Sequence, residues 1–153
     1  MKLLVCTDGS EHSQKALEKA AILATAAFVE DVALIHVYDG KMDFSSASWG
    51  GRDYAITEED IKRLKMMHEE EKEKRKIILQ EAQKVFEEKN VQVRAILKEG
   101  HPSHTIVEVA EEEGFDIIVI GSRGLGGLKK ILLGSVSNAV AQEAKNSSVL
   151  IVK

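Results

Sequence analysis

Asp116-Ile117-Ile118-Val119-Ile120 runs straight into Gly121-Ser122-Arg123-Gly124-Leu125-Gly126-Gly127, and the chain continues through residues 128–133 to Gly134-Ser135-Val136-Ser137. The opening run is apolar without alternation, which suits a strand covered on both faces. In an open α/β sheet, ligands bind at the carboxyl ends of strands, where strand order reverses. Glycines at such a place let backbone N–H groups approach an anion closely. A nest of these groups followed by a helix N-terminus makes a phosphate site. Ser135 and Ser137 add hydroxyl donors at the foot of the last helix. Four glycines within residues 121–127 exceed what a tight turn needs and cost entropy to order. Phosphate binding is therefore preferred to a bare turn.

Outward from this segment, short β-rich runs alternate with longer helical patterns. Strands are expected at residues 2–7, 31–38, 91–97, 116–120 and 149–152. Val32-Ala33-Leu34-Ile35 is a second unbroken apolar run, while Val91, Val93, Ala95 and Leu97 alternate. Ser10 is a good N-cap, and Leu17, Ala20, Ala21, Ala24, Ala27 and Phe28 recur after it at helical spacing. Pro102 just inside and Gly114 just past a helix follow the usual asymmetry of helix ends. Residues 131–145 read as the last helix. Strands alternating with helices argue for an α/β fold with a parallel sheet.

Between these elements, residues 39–53 read as a loop rich in glycine and serine. Thr57 then caps a helical stretch ending near Asn90. Its centre, residues 68–76, has no apolar side chain. It reads as a solvated face laced with i,i+4 Glu–Lys pairs, or as a helix that projects beyond the domain or packs on a partner; the first reading, allowing a bend, is preferred.

The totals set limits. The chain has 153 residues, enough for one domain over residues 1–153 with a core that needs no staples. A net charge of −4 gives no electrostatic footprint for a nucleic-acid partner. Cys6 is the single cysteine, so no internal disulfide can form, which suits a reducing compartment. No signal peptide or membrane span is expected, because residues 3–6 are too short a run and residues 20–29 are short and alanine-rich. The expected location is the cytoplasm.

Other phosphate motifs fit less well. Gly121 and Gly126 have the spacing of a Walker loop, but Gly127 stands where lysine is needed. The dinucleotide fingerprint belongs after the first strand, where only Gly9 is found.

The pattern Gly121, two residues, Gly124, nine residues, Gly134-Ser135 resembles the ATP-binding motif of the universal stress protein family. Leu4-Val5-Cys6-Thr7-Asp8-Gly9-Ser10-Glu11 resembles that family's first strand and turn. Ile35-His36-Val37-Tyr38 resembles its second strand. Gly100, Ile106, Ala110 and residues 116–121 resemble its third helix and fourth strand, and residues 148–152 its last strand. Only residues 41–88 fall outside the likeness. The resemblance implies a Rossmann-like fold of the adenine-nucleotide α-hydrolase type, a single-domain open five-stranded parallel sheet of order 3-2-1-4-5. It implies ATP with Mg2+ or Mn2+ as the ligand. Asp8 would lie near the ribose or the metal–phosphate region, and Val37 would offer backbone hydrogen bonds to adenine. Gly121, Gly124, Gly134, Ser135, Val136 and Ser137 would hold ribose and phosphates. Cys6, Thr7, Ile120 and Arg123 complete the implied binding set. Cys6 departs from the family, many of whose members have proline there. The last strand, residues 149–152, would be an apolar sheet edge open to pairing in a homodimer.

Several residues invite other readings. His101 and His104 lie near a helix start, but no acid or cysteine close in sequence completes a metal set, so capping or solvent-facing roles are preferred. His36 and Cys6 sit in apolar strands and read as packed residues. Lys129 and Lys130 could attract phosphate or simply be solvated. Three functions remain open: an ATP-binding regulator of stress physiology with little or no catalysis, an enzyme that cleaves or transfers from ATP, and an interaction module that binds another adenylate or none.

Overall fold

The computed structural model describes residues 1–40, 57–125 and 133–153. Most of the expected loop at residues 39–53, Gly126, Gly127, Lys129, Lys130 and the first two residues of the expected last helix lie outside them. The elements run β1 (Lys2–Cys6), α1 (Glu11–Ala24), β2 (Asp31–Tyr38), α2 (Glu58–Glu87), β3 (Arg94–Glu99), α3 (Pro102–Glu113), β4 (Ile117–Gly121), α4 (Ser135–Glu143) and β5 (Ser148–Val152). The strands form one sheet of order β3-β2-β1-β4-β5. Every neighbouring pair is parallel.

Strand parity sends side chains to two cores. Leu3, Val5, Val32, Leu34 and Val119 meet α1 and α2 through Ala16, Leu17, Ala20, Leu79, Ala82 and Phe86. Leu4, Cys6, Ala33, Ile35, Ile118 and Ile120 meet α3 and α4 through Ile106, Val109, Ala110 and Val140. Both faces are covered, which is why β1, β2 and β4 are apolar without alternation.

The helix ends follow local chemistry. Ser10 Oγ accepts the Ser13 N–H at 3.2 Å and starts α1. Pro102 stands at the start of α3, and Gly114 ends it with φ 68°, the left-handed cap. Thr57 and Asp60 close a reciprocal capping box on α2.

Several boundaries differ from expectation. β3 starts at Arg94, not Val91, because the chain is still turning: Asn90 has φ 57°, and the Val91 N–H returns to Phe86 O at 3.0 Å. Val91 and Val93 pack on the core before the strand begins. Leu133 and Gly134 lie outside α4, whose N-cap is Gly134. α2 is one helix of 30 residues, about 45 Å long. Its inner stripe is apolar at Leu79, Ala82 and Phe86 and polar further toward its N-terminus. The charged pairs along it are mostly i,i+3, as in Glu71–Lys74 and Glu81–Lys84, with Glu71–Arg75 at i,i+4.

Candidate functional site

Parallel pairing places the C-terminal ends of β1 and β4 side by side. The turn after β1 is built by its own side chains. Gly9 takes φ 78°, and Thr7 Oγ1 accepts its N–H at 3.3 Å. Asp8 Oδ1 accepts the Ser10 N–H at 2.9 Å. Asp8 Oδ2 accepts the Leu125 N–H at 3.2 Å, across the gap to the glycine loop. One carboxylate thus joins the two turns.

The loop after β4 is fastened at Ser122. Its N–H donates to Val152 O at 2.7 Å, and its carbonyl accepts the Gly134 N–H at 2.8 Å. Ser137 Oγ donates toward Ser122 O at 3.1 Å and Gly134 O at 3.0 Å. A hydroxyl has one proton, so Ser137 closes the loop and does not serve as a free donor. No side chain caps the first turn of α4, and its N–H groups and positive dipole end face the same region.

Two glycines are required here by close approach. A Cβ at Gly124 would stand 2.4 Å from Asp8 Oδ2. A Cβ at Gly121 would meet the backbone of α1, at 2.7 Å from His12 C and O and 2.9 Å from Ser13 N. Gly121 therefore admits the first turn of α1.

These turns bound a cavity of about 270 Å³. Its floor is apolar, formed by Cys6, Ile35, Val37, Ile106 and Ile120. Its other end is polar and backbone-rich, with Thr7, Asp8, Gly121, Arg123 and Gly124 on one side and Gly134, Ser135, Val136 and Ser137 on the other. All residues of the binding set implied by the resemblance line this one cavity, while Gly126 and Gly127 of the expected nest lie outside the described residues. Sequence reasoning missed Ser13, Ile35, Pro102, Ile106, Leu125 and Leu133, which also line it. Ile35 shares the parity of Val37, and Pro102 and Ile106 lie one turn apart on α3, so strand and helix periodicity could have found them.

Burial, and to a smaller extent the Asp8 charge, pushes the Cys6 thiol far above its ordinary range, so it is a neutral wall of the floor. Arg123 Nε is buried without a partner among the described residues. Asp8 offers a cation one carboxylate, already shared with two N–H groups. Among the described residues, no group of three or more His, Cys, Asp or Glu could hold a metal. A divalent ion would therefore fit only with most of its ligands coming from phosphates and water, as Mg2+ commonly binds.

Away from the cavity floor, His36 is buried and hydrogen-bonded to the Thr7 carbonyl, as its apolar strand suggests. His104 Nδ1 lies 2.9 Å from Glu143 Oε2, and the His101 and His104 rings are 4.9 Å apart. Among the described residues, no helix is long and apolar enough to cross a membrane.

The model of the universal stress protein family matches residues 1–153. Universal stress protein YxiE of Bacillus subtilis is 40% identical over 152 residues, covering 99% of this chain and 98% of its own. Universal stress protein MJ0577 of Methanocaldococcus jannaschii is 36% identical over 158 residues, covering 99% and 94%. Its solved structure superposes with a TM-score of 0.74 at 34% identity, covering 99% and 94%. The Archaeoglobus fulgidus universal stress protein, solved in complex with dAMP, has a TM-score of 0.63 at 25% identity, covering 100% and 98%.

Proposed function

Because the chain belongs to the universal stress protein family, we propose that it binds ATP with Mg2+ or Mn2+ between β1 and β4 and acts as a nucleotide-dependent regulator in the stress response. The observation that carries this reading is the division of one cavity into an apolar floor and a polar, backbone-rich rim. The floor suits a flat base, with Val37 backbone groups at its edge. The rim suits an anion: the uncapped N-terminus of α4, the described part of the glycine loop and Arg123 all line it. A relative holding dAMP supports the adenine class.

In this reading Cys6 and Ile120 pack against the base, and Thr7 and Asp8 face the ribose and the metal–phosphate region. Gly124, Gly134, Ser135 and Val136 offer backbone groups to phosphate, while Gly121 and Ser137 keep the turn closed behind them. A cavity of about 270 Å³ lies just below the usual range for small-molecule sites, so the phosphates would extend along the open rim. Turnover is slow, because Asp8 is held by two N–H groups and no other cavity-lining group among the described residues stands ready as a base. The regulator works in the cytoplasm, where ATP is abundant. It forms a homodimer through β5, a sheet edge with Leu150 exposed.

The test is calorimetric titration with ATP, AMP and adenosine, each with and without Mg2+. ATP with Mg2+ is expected to bind most tightly and adenosine most weakly. Equal affinity for adenosine and ATP would overturn the phosphate assignment, and no binding of any of the three would overturn the nucleotide reading.

A further inference from the structure

The cavity opens on one face of the sheet, while a buried histidine lies on the other. His36 shares the parity of Val32 and Leu34, which belong to the α1/α2 core, and the residue is 3% exposed. Its Nδ1 lies 2.7 Å from the Thr7 carbonyl. A carbonyl only accepts, so Nδ1 holds the ring proton. Nε2 is then a bare acceptor, and it is buried with no partner among the described residues. Arg75 lies on the inner stripe of α2, one turn before Ile78 and Leu79, and α2 packs on β2 and β3. Arg75 Nε, which can only donate, is likewise buried and unpartnered among the described residues. The end of its side chain reaches Glu71 Oε2 at 3.5 Å. Ile78 lies against the Gly9 turn.

We propose that His36 is a positioning residue for the nucleotide site: it fixes the Thr7–Asp8 peptide from behind the sheet. The inference rests on the nucleotide reading given above. The Thr7 carbonyl belongs to the peptide that delivers Asp8, so fixing it sets where the Asp8 carboxylate departs. That carboxylate bridges the Ser10 and Leu125 N–H groups, so the orientation passes into the glycine loop. The opposite tautomer would set a bare Nδ1 against the carbonyl, two acceptors with no proton between them. An imidazolium is disfavoured too. Burial and the Arg75 charge lower the affinity of the ring for a proton, while the Thr7 carbonyl and Asp8 oppose them; burial is the largest effect, and the net direction is downward.

The tautomer is read in the nucleotide-free protein by long-range proton–nitrogen NMR of the ring. The proton is expected on Nδ1; finding it on Nε2 would overturn the proposal. Substitutions then separate positioning from packing. In His36→Asn the side-chain amide nitrogen would stand where Nδ1 stands, whereas in His36→Gln it would reach toward the place of Nε2. His36→Gln and His36→Leu should weaken ATP binding by about tenfold, while His36→Asn keeps it within about threefold of wild type. Should His36→Leu not fold, the Asn and Gln variants still decide, and equal affinities for the two refute the proposal. A wild-type chain that binds no ATP would sink the nucleotide reading itself. A wild type that binds, with all His36 variants unchanged, would sink only this link.

Discussion

Replacing Gly124 by alanine loads the rim of the cavity at its tightest point. The new Cβ would stand 2.4 Å from Asp8 Oδ2, so the carboxylate must move. Its movement releases the Leu125 N–H, now held at 3.2 Å. Leu125 is 72% exposed, so folding loses only about 1 kcal/mol with that bond. Binding loses more. A phosphate served by displaced donors forfeits two or three charge-assisted hydrogen bonds of about 1.5–3 kcal/mol each, which weakens ATP by roughly a hundredfold or more. Gly121→Ala gives the contrast, because its Cβ would press on the His12 and Ser13 backbone at 2.7–2.9 Å. A helix backbone cannot swing aside, and overpacking of this kind costs about 1–3 kcal/mol. For a chain of this size each kcal/mol lowers Tm by about 2–4 °C. Calorimetric titration with MgATP and thermal denaturation of both variants separate the two effects. Gly124→Ala should lose affinity while staying nearly as stable as wild type, and Gly121→Ala should lose stability first. A folded Gly124→Ala that binds ATP like the wild type would refute the role of this loop. A Gly121→Ala as stable as wild type would refute its packing against α1.

Four further outcomes are expected. The Cys6 thiol, pushed far upward by burial, should resist alkylation in the native protein near neutral pH and react once unfolded; rapid native labelling would contradict that. His36 is held below its ordinary 6.5 chiefly by burial, so the unfolded chain binds the extra proton first. Its contribution to stability is therefore full above about pH 6.5 and declines as pH falls toward the lower folded value. Urea midpoints taken from about pH 8 to about pH 5 should fall, and His36→Asn should flatten that slope. Light scattering at micromolar concentration should give a dimer that Leu150→Pro disrupts, and a stable wild-type monomer would exclude pairing through β5. ATP turnover should stay below about one per minute, and a faster rate abolished by Asp8→Asn would favour an enzyme.

The strand–helix alternation and the unbroken apolar runs of β2 and β4 made the two-sided sheet legible, and its strand order came through the family resemblance. The ends of elements were harder to read. Val91, Val93, Ala95 and Leu97 alternate over a stretch that is only partly strand, because alternation records which side chains are buried and not which N–H groups join a ladder. The Phe86 carbonyl takes the Val91 N–H, a local bond that no periodicity reports. At α4 the helical pattern ran over Leu133 and Gly134, yet a glycine in the N-cap position starts the helix later. The length of α2 was readable from its cap at Thr57 and its charged centre. The pairs realised there are mostly i,i+3, since long exposed side chains choose among neighbours of nearly equal energy.

The site itself divides along a line that sequence spacing obscures. Gly121 and Gly124 belong to one motif, yet different neighbours constrain them. Val119 faces α1 and α2, and Ile118 and Ile120 face α3 and α4. Continuing that period of two past Ile120 puts Gly121 on the α1 side, where its missing side chain admits a helix backbone. At Gly124 the period has been lost, and the constraint is the Asp8 carboxylate, more than a hundred residues away in the chain. Parity could therefore have assigned Gly121 from the sequence. Nothing local could have assigned Gly124, because its reason is the parallel pairing of β1 with β4, which brings two turns together only once the whole sheet has formed.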